Sequence, residues 1–123
     1  MAITGFIGSG MKSREKVNAV VSALEDIKAE NIAVLDVSGL STLFEWMVIA
    51  SANSTRQTKA LANHVQEKLK ALGQDVNGLE GLETGEWVLV DLGDVIVHIM
   101  QPAVRQYYNL EGLWSPIPQA RAG

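Results

Sequence analysis

The stretch Trp87–Gln101, WVLVDLGDVIVHIMQ, decides the fold of this chain. It contains two runs of β-favouring residues, VLV and VIV, on either side of the turn sequence Asp91–Asp94. Gly93 can adopt a positive φ angle, but Leu92 before it disfavours a type I′ turn, so we expect a looser loop with a glycine bulge. Because apolar residues occupy both faces of both strands, the pattern predicts two central strands that are covered on each side.

The segment before this hairpin predicts one helix and two strands. Residues Ser13–Glu30 carry a single apolar stripe at helical spacing, and Ser13 is a suitable N-cap. Ile32–Val37 and Glu45–Ala52 are short apolar runs joined by a polar turn, which predicts two antiparallel neighbouring strands.

Capping signals predict two further helices. Ser54 and the glutamine three residues later fit a capping box, and Gly73 ends that helix. The apolar stripe of this second helix comprises Ala60, Leu61, Val65, Leu69 and Leu72. Pro102 suits the first position of a third helix, and Val76 begins a short edge strand. The order α-β-β-α-(β)-β-β-α predicts a single α/β domain of the mixed α+β type, with a mixed β-sheet and helices on both faces.

Composition limits the classes of function. The chain has 123 residues, no cysteine and a net charge of −4, so it needs no disulfide, and its overall charge disfavours direct non-specific binding to nucleic acid. No apolar run approaches the ~20 residues that span a bilayer, and the first ten residues lack the features of a secretion signal, so we expect a cytoplasmic protein. We divide the chain into a flexible extension (1–11), one domain (12–116) and a flexible tail (117–123).

The sequence supports no catalytic site. Asp91 and Asp94 could hold Mg²⁺, but two ligands on one side of a strand would be two residues apart, and turn formation explains both. His98 shares an apolar strand face, which favours a hydrogen-bonded core residue over a base. Without a convergent acid, base and nucleophile, we predict no enzyme and no catalytic, cofactor-binding or metal site.

Residue types that are common at protein interfaces are concentrated in the second half of the chain. They are Trp87, Arg105, Tyr107, Tyr108 and Trp114, with Trp46 earlier. Trp87 follows a glycine-rich loop at the start of a strand, so we expect it to be partly exposed. The chemistry of this set favours binding over catalysis.

Four stretches together resemble the ribosomal silencing factor family, also called Iojap-like. Trp87–His98 resembles its central signature, and Arg105–Trp114, RQYYNLEGLW, resembles its R-x-[FY]-Y-x-L-E-x-L-W segment. Ser51–Ala60 resembles a third segment, and Glu80-Gly81 matches the Glu-Gly that precedes the tryptophan strand. The resemblance covers Lys12 to about Pro116.

Two positions depart from the family pattern. Glu45-Trp46 stand where the family usually has Asp and an aromatic residue, which is a conservative change. Ser51-Ala52 stand where it usually has Thr-Gly, and the lost glycine argues against a close backbone approach to a ligand there.

The resemblance implies a fold related to nucleotidyltransferases but without their catalytic carboxylates. It implies a translational repressor that binds a large-subunit ribosomal protein, the fourteenth of the L series, on the interface face of that subunit. The bound repressor would block joining with the small subunit when nutrients are scarce. It also implies self-association as a homodimer when free. We expect no sequence-specific contact with nucleic acid and no membrane partner.

Motif position and interface chemistry together predict six partner-binding residues. They are Trp87, Asp91, Asp94, His98, Arg105 and Tyr108. The alternative interpretation is a nucleotide-binding enzyme of the nucleotidyltransferase type. It would use the helix N-terminus at Ser54 together with Asp91 and Asp94.

Overall fold

The computed structural model describes residues 11–114, so the predicted tail and all but Met11 of the predicted extension lie outside the described residues. The elements in chain order are α1 (Ser13–Asp26), β1 (Glu30–Asp36), β2 (Trp46–Ser51), α2 (Thr55–Ala71), β3 (Gly78–Glu80), β4 (Trp87–Asp91), β5 (Val95–Met100), α3 (Pro102–Tyr108) and α4 (Leu110–Trp114). The predicted order is confirmed. The edge strand is β3, and the last predicted helix is divided into α3 and α4.

The strands form one mixed five-stranded sheet in the order β1-β2-β5-β4-β3. Neighbouring strands are antiparallel except β2 and β5, which run parallel. β5 therefore lies at the centre of the sheet, and β4 lies between it and the short β3, which confirms that the hairpin is internal to the sheet. The antiparallel pairing of β1 with β2 is also confirmed.

The turn of the β4–β5 hairpin is tighter than predicted. The Leu92 N–H donates to the Val95 carbonyl at 3.0 Å, so only Gly93 and Asp94 lie between the two closing residues. Gly93 has φ 91°, the position and sign that a type II′ turn requires of its first central residue. Leu92 is buried and closes the hairpin instead of lying inside its loop, so its side chain does not force a bulged loop.

Helices α1 and α2 cover one face of the sheet and enclose the larger core. They pack on Val48, Val88, Val90 and Val97, among other residues that point to this face. Ser54 caps α2 as predicted, because its hydroxyl accepts a hydrogen bond from the Gln57 N–H at 3.1 Å. In the predicted stripe of α2, Ala60 is exposed and Leu72 lies just beyond the end of the helix, whereas Thr58 and Ala62 are buried.

The start and end of α1 differ from the prediction. Lys12, not Ser13, is the N-cap, and the helix ends at Asp26 instead of Glu30. Lys28 has φ 65°, and the Ala29 N–H donates to the Leu24 carbonyl at 3.0 Å, which is the hydrogen bond that closes a helix C-terminus. Glycine usually takes this left-handed position, so a lysine there gave no stop signal in the sequence.

The short helices α3 and α4 cover part of the opposite face. Pro102 is the first residue of α3, as predicted. This smaller core contains Val37, Met47, Ile49 and Met100, with Phe44 and Trp114 packed against it. The prediction of helices on both faces is therefore confirmed, although the two layers are unequal. Within residues 11–114, no helix is long and apolar enough to cross a membrane.

Candidate protein-binding surface

The fold separates the six predicted partner-binding residues into three groups. Trp87, His98 and Tyr108 come together where the start of β4 meets α3. Asp91 and Asp94 lie at the other end of the hairpin, beside its turn. Arg105 lies on α3 beside Asn31 and Ser51, at one end of β1 and β2. No single patch contains all six residues.

Trp87 and His98 form a hydrogen-bonded pair on the face of the sheet that α3 partly covers. In the antiparallel register Leu89 lies opposite His98 and Met100 opposite Trp87, so the two residues are diagonal neighbours on one face. The Trp87 Nε1–H donates to His98 Nδ1 at 2.9 Å, and the ring centroids are 5.8 Å apart. Because Nδ1 accepts this bond, the proton of the neutral imidazole resides on Nε2.

His98 is a neutral core residue, as predicted. It is 6% exposed, and burial lowers the pKa of its imidazole from 6.5 to about 4. It therefore carries no charge at neutral pH, and any contact with a partner would be that of a neutral donor. Its main contact on this face is the indole of Trp87, which is itself half-buried.

Two tyrosines of α3 extend this pair into an exposed aromatic surface, which we define as Trp87, Val104, Tyr107 and Tyr108. The Tyr108 ring lies 4.9 Å from that of Trp87, and Tyr107 meets Tyr108 edge-on at 4.9 Å. Tyr107 is 80% exposed and Tyr108 is 51% exposed. These residues line a concavity of about 350 Å³ together with Thr84, Glu86 and Ala103.

Tyr107 is not among the six residues predicted from the sequence, yet it is the most exposed aromatic side chain in the aromatic surface. The available signal was the pair of adjacent tyrosines in a short amphipathic helix. Two consecutive helical positions point about 100° apart, so when one ring packs on the sheet the next is directed outward. Tyr108 makes that inward contact through Trp87.

Apolar and acidic side chains continue the aromatic surface along the sheet. Leu89 follows Trp87 on the same face, and Ile96 precedes His98 there; both are half-buried. Glu80 lies opposite Leu89 on this face, and Glu83 and Glu86 are exposed in the loop before β4. The surface thus combines exposed aromatic rings with a rim of negative charge, which suits a basic protein partner.

Asp91 and Asp94 each have a structural partner within the fold. The Asp91 carboxylate accepts a hydrogen bond from the Gly93 N–H at 2.9 Å, which is a turn-forming contact. The Asp94 carboxylate accepts from Lys16 Nζ at 2.7 Å, which ties the turn to α1. Within residues 11–114, no three His, Cys, Asp or Glu side chains converge in a way that could hold a metal ion.

Arg105 is largely buried, and its guanidinium forms hydrogen bonds within the protein. Its guanidinium forms a bidentate ion pair with the Glu111 carboxylate, in which Nε lies 3.1 Å from Oε1 and Nη2 lies 2.7 Å from Oε2. This ion pair holds the pKa of Glu111 below its usual range. The guanidinium also donates to the Asn31 carbonyl at 2.7 Å and to Ser51 Oγ at 2.8 Å. With 12% of its side chain exposed, Arg105 joins α3 and α4 to β1 and β2 and so positions the tyrosines of α3.

The N-terminus of α2, which was considered for nucleotide binding, is also occupied by contacts within the protein. The Ser54 hydroxyl caps α2, and the next residue back, Asn53, approaches the Glu30 carboxylate at 3.4 Å. An incoming phosphate would have to displace the capping contact and would lie near the negative charge of Glu30. Capping of α2 therefore explains the presence of Ser54 at this position, and no bound ligand is needed to explain it.

Comparison with known proteins gives consistent results. The family model described as "Ribosomal silencing factor during starvation" matches residues 11–122. A protein of Chromobacterium violaceum named ribosomal silencing factor RsfS is 56% identical over 104 residues, covering 85% of each chain. A mouse protein named "Mitochondrial assembly of ribosomal large subunit protein 1" is 30% identical over 102 residues, covering 80% of this chain and 45% of the mouse protein.

The fold has a close structural counterpart. A crystal structure of a Chromobacterium violaceum protein superposes with a TM-score of 0.83 at 56% sequence identity, covering 85% of this chain and 87% of the other. The single-domain α+β arrangement described above therefore recurs in a solved structure of high sequence similarity.

Proposed function

The chain belongs to the ribosomal silencing factor family, and we propose that it represses translation by binding the large ribosomal subunit and blocking its joining with the small subunit, especially during starvation. The partner on the large subunit is an interface-face ribosomal protein, the fourteenth of the L series. Family membership supports a silencing role, since its relatives are named for ribosomal silencing and, in mouse, for assembly of the large ribosomal subunit.

The exposed aromatic surface is the observation that supports a specific docking site. A soluble domain rarely leaves two adjacent tyrosines at 80% and 51% exposure beside a half-buried tryptophan unless a partner covers them. Aromatic residues dominate the energetics of protein interfaces, and a standard interface requires ~800 Å² on each partner. The aromatic surface and its continuation over Leu89 and Ile96 offer an apolar centre for such a contact.

Charge supports the choice of a basic partner. Glu80 and Glu86 form a negative rim beside the aromatic surface, and Asp91 extends this charge along β4. A basic ribosomal protein would gain association rate and correct orientation from this rim. In this arrangement Trp87 and Tyr108 contact the partner directly, whereas His98 and Arg105 hold those two side chains in place.

The mechanism is steric. A rigid domain bound on the interface face occupies space that a contact between the two subunits requires, and no chemical step is needed. The protein then acts as a regulator and not as an enzyme, in the cytoplasm where subunits join. A homodimer of the free protein remains a prediction that sedimentation equilibrium can test.

A subunit-joining assay tests the function. Purified small and large subunits are mixed at a Mg²⁺ concentration that permits joining, with and without excess protein, and separated on a sucrose gradient. We expect the protein to lower the fraction of joined ribosomes and to migrate with the large subunit. An unchanged fraction of joined ribosomes at saturating protein would refute the proposed function.

Two substitutions test the docking site separately. Tyr107→Ala removes a largely exposed ring, so the fold should persist while binding to the large subunit weakens about thirtyfold, the loss typical of an interface hot spot. Leu72→Ala, at the C-cap just after α2 and at 45% exposure, is the matched control and should bind normally. Equal binding of the two variants would place the docking site elsewhere even if the joining assay succeeds.

The alternative, a nucleotide-binding enzyme, makes a different prediction. Its three candidate residues, Ser54, Asp91 and Asp94, are each held by contacts within the fold. We therefore expect calorimetry with nucleoside triphosphates and Mg²⁺ to show no heat of binding. A saturable signal that Asp91→Asn together with Asp94→Asn abolishes, in a folded protein, would favour the enzyme instead.

A further inference from the structure

The charges of this protein are segregated between its two layers, although the net charge of −4 conceals this. We define the helical layer as α1 with its flanking lysines and α2. It holds eight of the nine Lys and Arg residues between positions 11 and 114: Lys12, Arg14, Lys16, Lys28, Arg56, Lys59, Lys68 and Lys70. It holds only four acidic residues, Glu15, Glu25, Asp26 and Glu67, so its formal charge is +4.

The remainder of the described chain is strongly acidic. The sheet, its loops, α3 and α4 together contain ten Asp and Glu residues and one basic residue, Arg105, a formal charge of −9. That arginine is paired with Glu111 inside the fold. The expectation that the net charge disfavours direct, non-specific binding to nucleic acid therefore does not apply equally to every part of the surface. The helical layer carries a net positive charge and the rest of the described chain a net negative charge, although Glu45 and Asp94 lie against α1 through Ser13 and Lys16.

Most of the basic side chains in the helical layer are not neutralised. Among residues 11–114, only Lys16 and Lys68 of this layer form ion pairs, with Asp94 and Asp26 respectively. The other six have no carboxylate partner within the described residues, although Arg14 lies 5.0 Å over the Trp46 ring. Their charge is available to an anionic partner.

Five exposed residues of α2 form a stripe, which we call the α2 stripe: Arg56, Ala60, Asn63, Glu67 and Lys70. Their spacing of four and three residues places them on one side of the helix, opposite the buried Leu61, Val65 and Leu69. A straight helix rises 1.5 Å per residue, so the basic ends of the stripe are about 21 Å apart. Between these ends, Ala60 and Asn63 have short neutral side chains that would let a nucleic-acid backbone approach, whereas Glu67 beside Lys70 opposes an anion.

We propose that the helical layer, through the α2 stripe, binds the phosphate backbone of RNA. Lys and Arg on a polar helix face neutralise phosphates without reading sequence, which agrees with the expected lack of sequence-specific recognition. The stripe has no aromatic or large apolar side chain to insert between lipids, so RNA fits it better than a membrane surface does. The acidic, aromatic face remains free to contact a basic protein while the helical layer contacts RNA.

This proposal goes beyond the function proposed above and concerns the opposite face of the molecule. A ribosomal subunit presents basic proteins set in RNA, so a small domain with an acidic part and a basic part can match both kinds of surface. If the domain were turned over, its acidic part would face RNA and its basic part would face a basic protein. The repulsion between like charges would disfavour that orientation.

A short fluorescein-labelled RNA hairpin and fluorescence anisotropy test the proposal. At about 50 mM salt we expect saturable binding, with affinity falling steeply as salt rises. Arg56→Glu and Lys70→Glu should each lower affinity at least about tenfold and reduce the slope of log affinity against log salt by about one. No measurable binding of the unsubstituted protein at low salt would refute the proposal.

A matched pair of variants separates the helical layer from overall charge. Glu67→Lys in the α2 stripe and Glu80→Lys on β3 make the same change in net charge at exposed sites on opposite faces. We expect the first to tighten RNA binding several-fold and the second to leave it within about twofold. Equal gains would mean that net charge alone attracts the RNA, and would overturn the assignment to the helical layer.

The large subunit provides the final test. The Arg56→Glu, Lys70→Glu double variant should bind the large subunit at least about tenfold more weakly at low salt, while it binds the isolated ribosomal protein normally. Normal binding to the subunit, or binding to anionic vesicles in place of the hairpin, would contradict the proposal. Either of these two results would contradict RNA binding by the helical layer without contradicting the proposed contact of the aromatic surface with a ribosomal protein. The two proposals can therefore fail separately.

Discussion

The protein should lose folding stability in mild acid because of its buried His98, and replacing His98 by glutamine should abolish that loss. His98 is 6% exposed, and its Nδ1 is occupied by the Trp87 indole N–H at 2.9 Å. Burial lowers the pKa of the imidazole from 6.5 to about 4 in the folded protein, whereas the unfolded chain should retain the ordinary value. Glutamine can still accept a hydrogen bond from the indole but does not titrate.

The sign and size of the effect follow from the two pKa values. Because the folded pKa is depressed, the stabilising effect is fully present above the unfolded pKa of 6.5 and is lost as the pH falls towards the folded pKa of about 4. Each pKa unit corresponds to about 1.4 kcal/mol, so the full loss is about 3 kcal/mol. Between pH 7 and about pH 5 the unfolded histidine becomes protonated while the folded one stays neutral, which removes about 2 kcal/mol.

Urea unfolding at several pH values between these limits measures the effect. The carboxyl groups with lowered pKa values, those of Asp26, Asp36 and Glu111, lose their stabilising effect only in more acidic solution, so they do not obscure this window. His64→Gln removes the only other histidine of the chain and should retain the fall of about 2 kcal/mol. If His98→Gln loses as much stability as the unsubstituted protein does, a buried neutral His98 cannot be the cause.

The remaining predictions concern folding stability and can be measured by urea unfolding at neutral pH. Gly81→Ala should destabilise the protein by about 3 kcal/mol, because a Cβ there would collide with the backbone carbonyl oxygen of Trp87. Gly93→Ala, which has a similar φ but only an ordinary contact, should cost about 1 kcal/mol, and equal losses would show that the carbonyl contact is irrelevant. Arg105→Lys should cost about 2 kcal/mol, since a lysine cannot reproduce the two-pronged contact with Glu111, and a loss below ~0.5 kcal/mol would contradict the positioning role. Lys28→Gly should stabilise the protein by about 0.5 kcal/mol by relieving the φ of 65°, and a loss of stability would contradict this reasoning.

Local signals in the sequence were sufficient for the order of the elements and for the starts of α2 and α3, but not for the two ends of α1. Apolar residues on both faces of the hairpin predicted its internal position in the sheet, and Ser54 and Pro102 begin their helices where their side-chain chemistry favours it. The sequence failed where a residue adopts a backbone conformation that its type disfavours. Lys28 ends α1 in a left-handed conformation, and nothing in its side chain announces this.

The functional surface was only partly predictable. Trp87 and Tyr108 could be chosen from residue type and motif position, but the sequence did not distinguish an exposed arginine from Arg105, whose guanidinium bonds to residues 54 and 74 positions away. It also gave no sign that Tyr107 is the more exposed of two adjacent tyrosines. Such distinctions depend on which neighbours the fold supplies.

By itself, then, the sequence determined the order of the helices and strands, the mixed sheet with helices on both faces and the family, since these follow from periodicity, capping chemistry and motif order. The tertiary structure alone decided that β2 and β5 run parallel and that Asp94 pairs with Lys16, 78 positions away. It also decided that the charges divide into a basic helical layer and an acidic remainder. Spacing along the chain reports what each residue prefers locally, whereas packing of the helices on one face of the sheet determines which distant side chains meet and which charges share a surface.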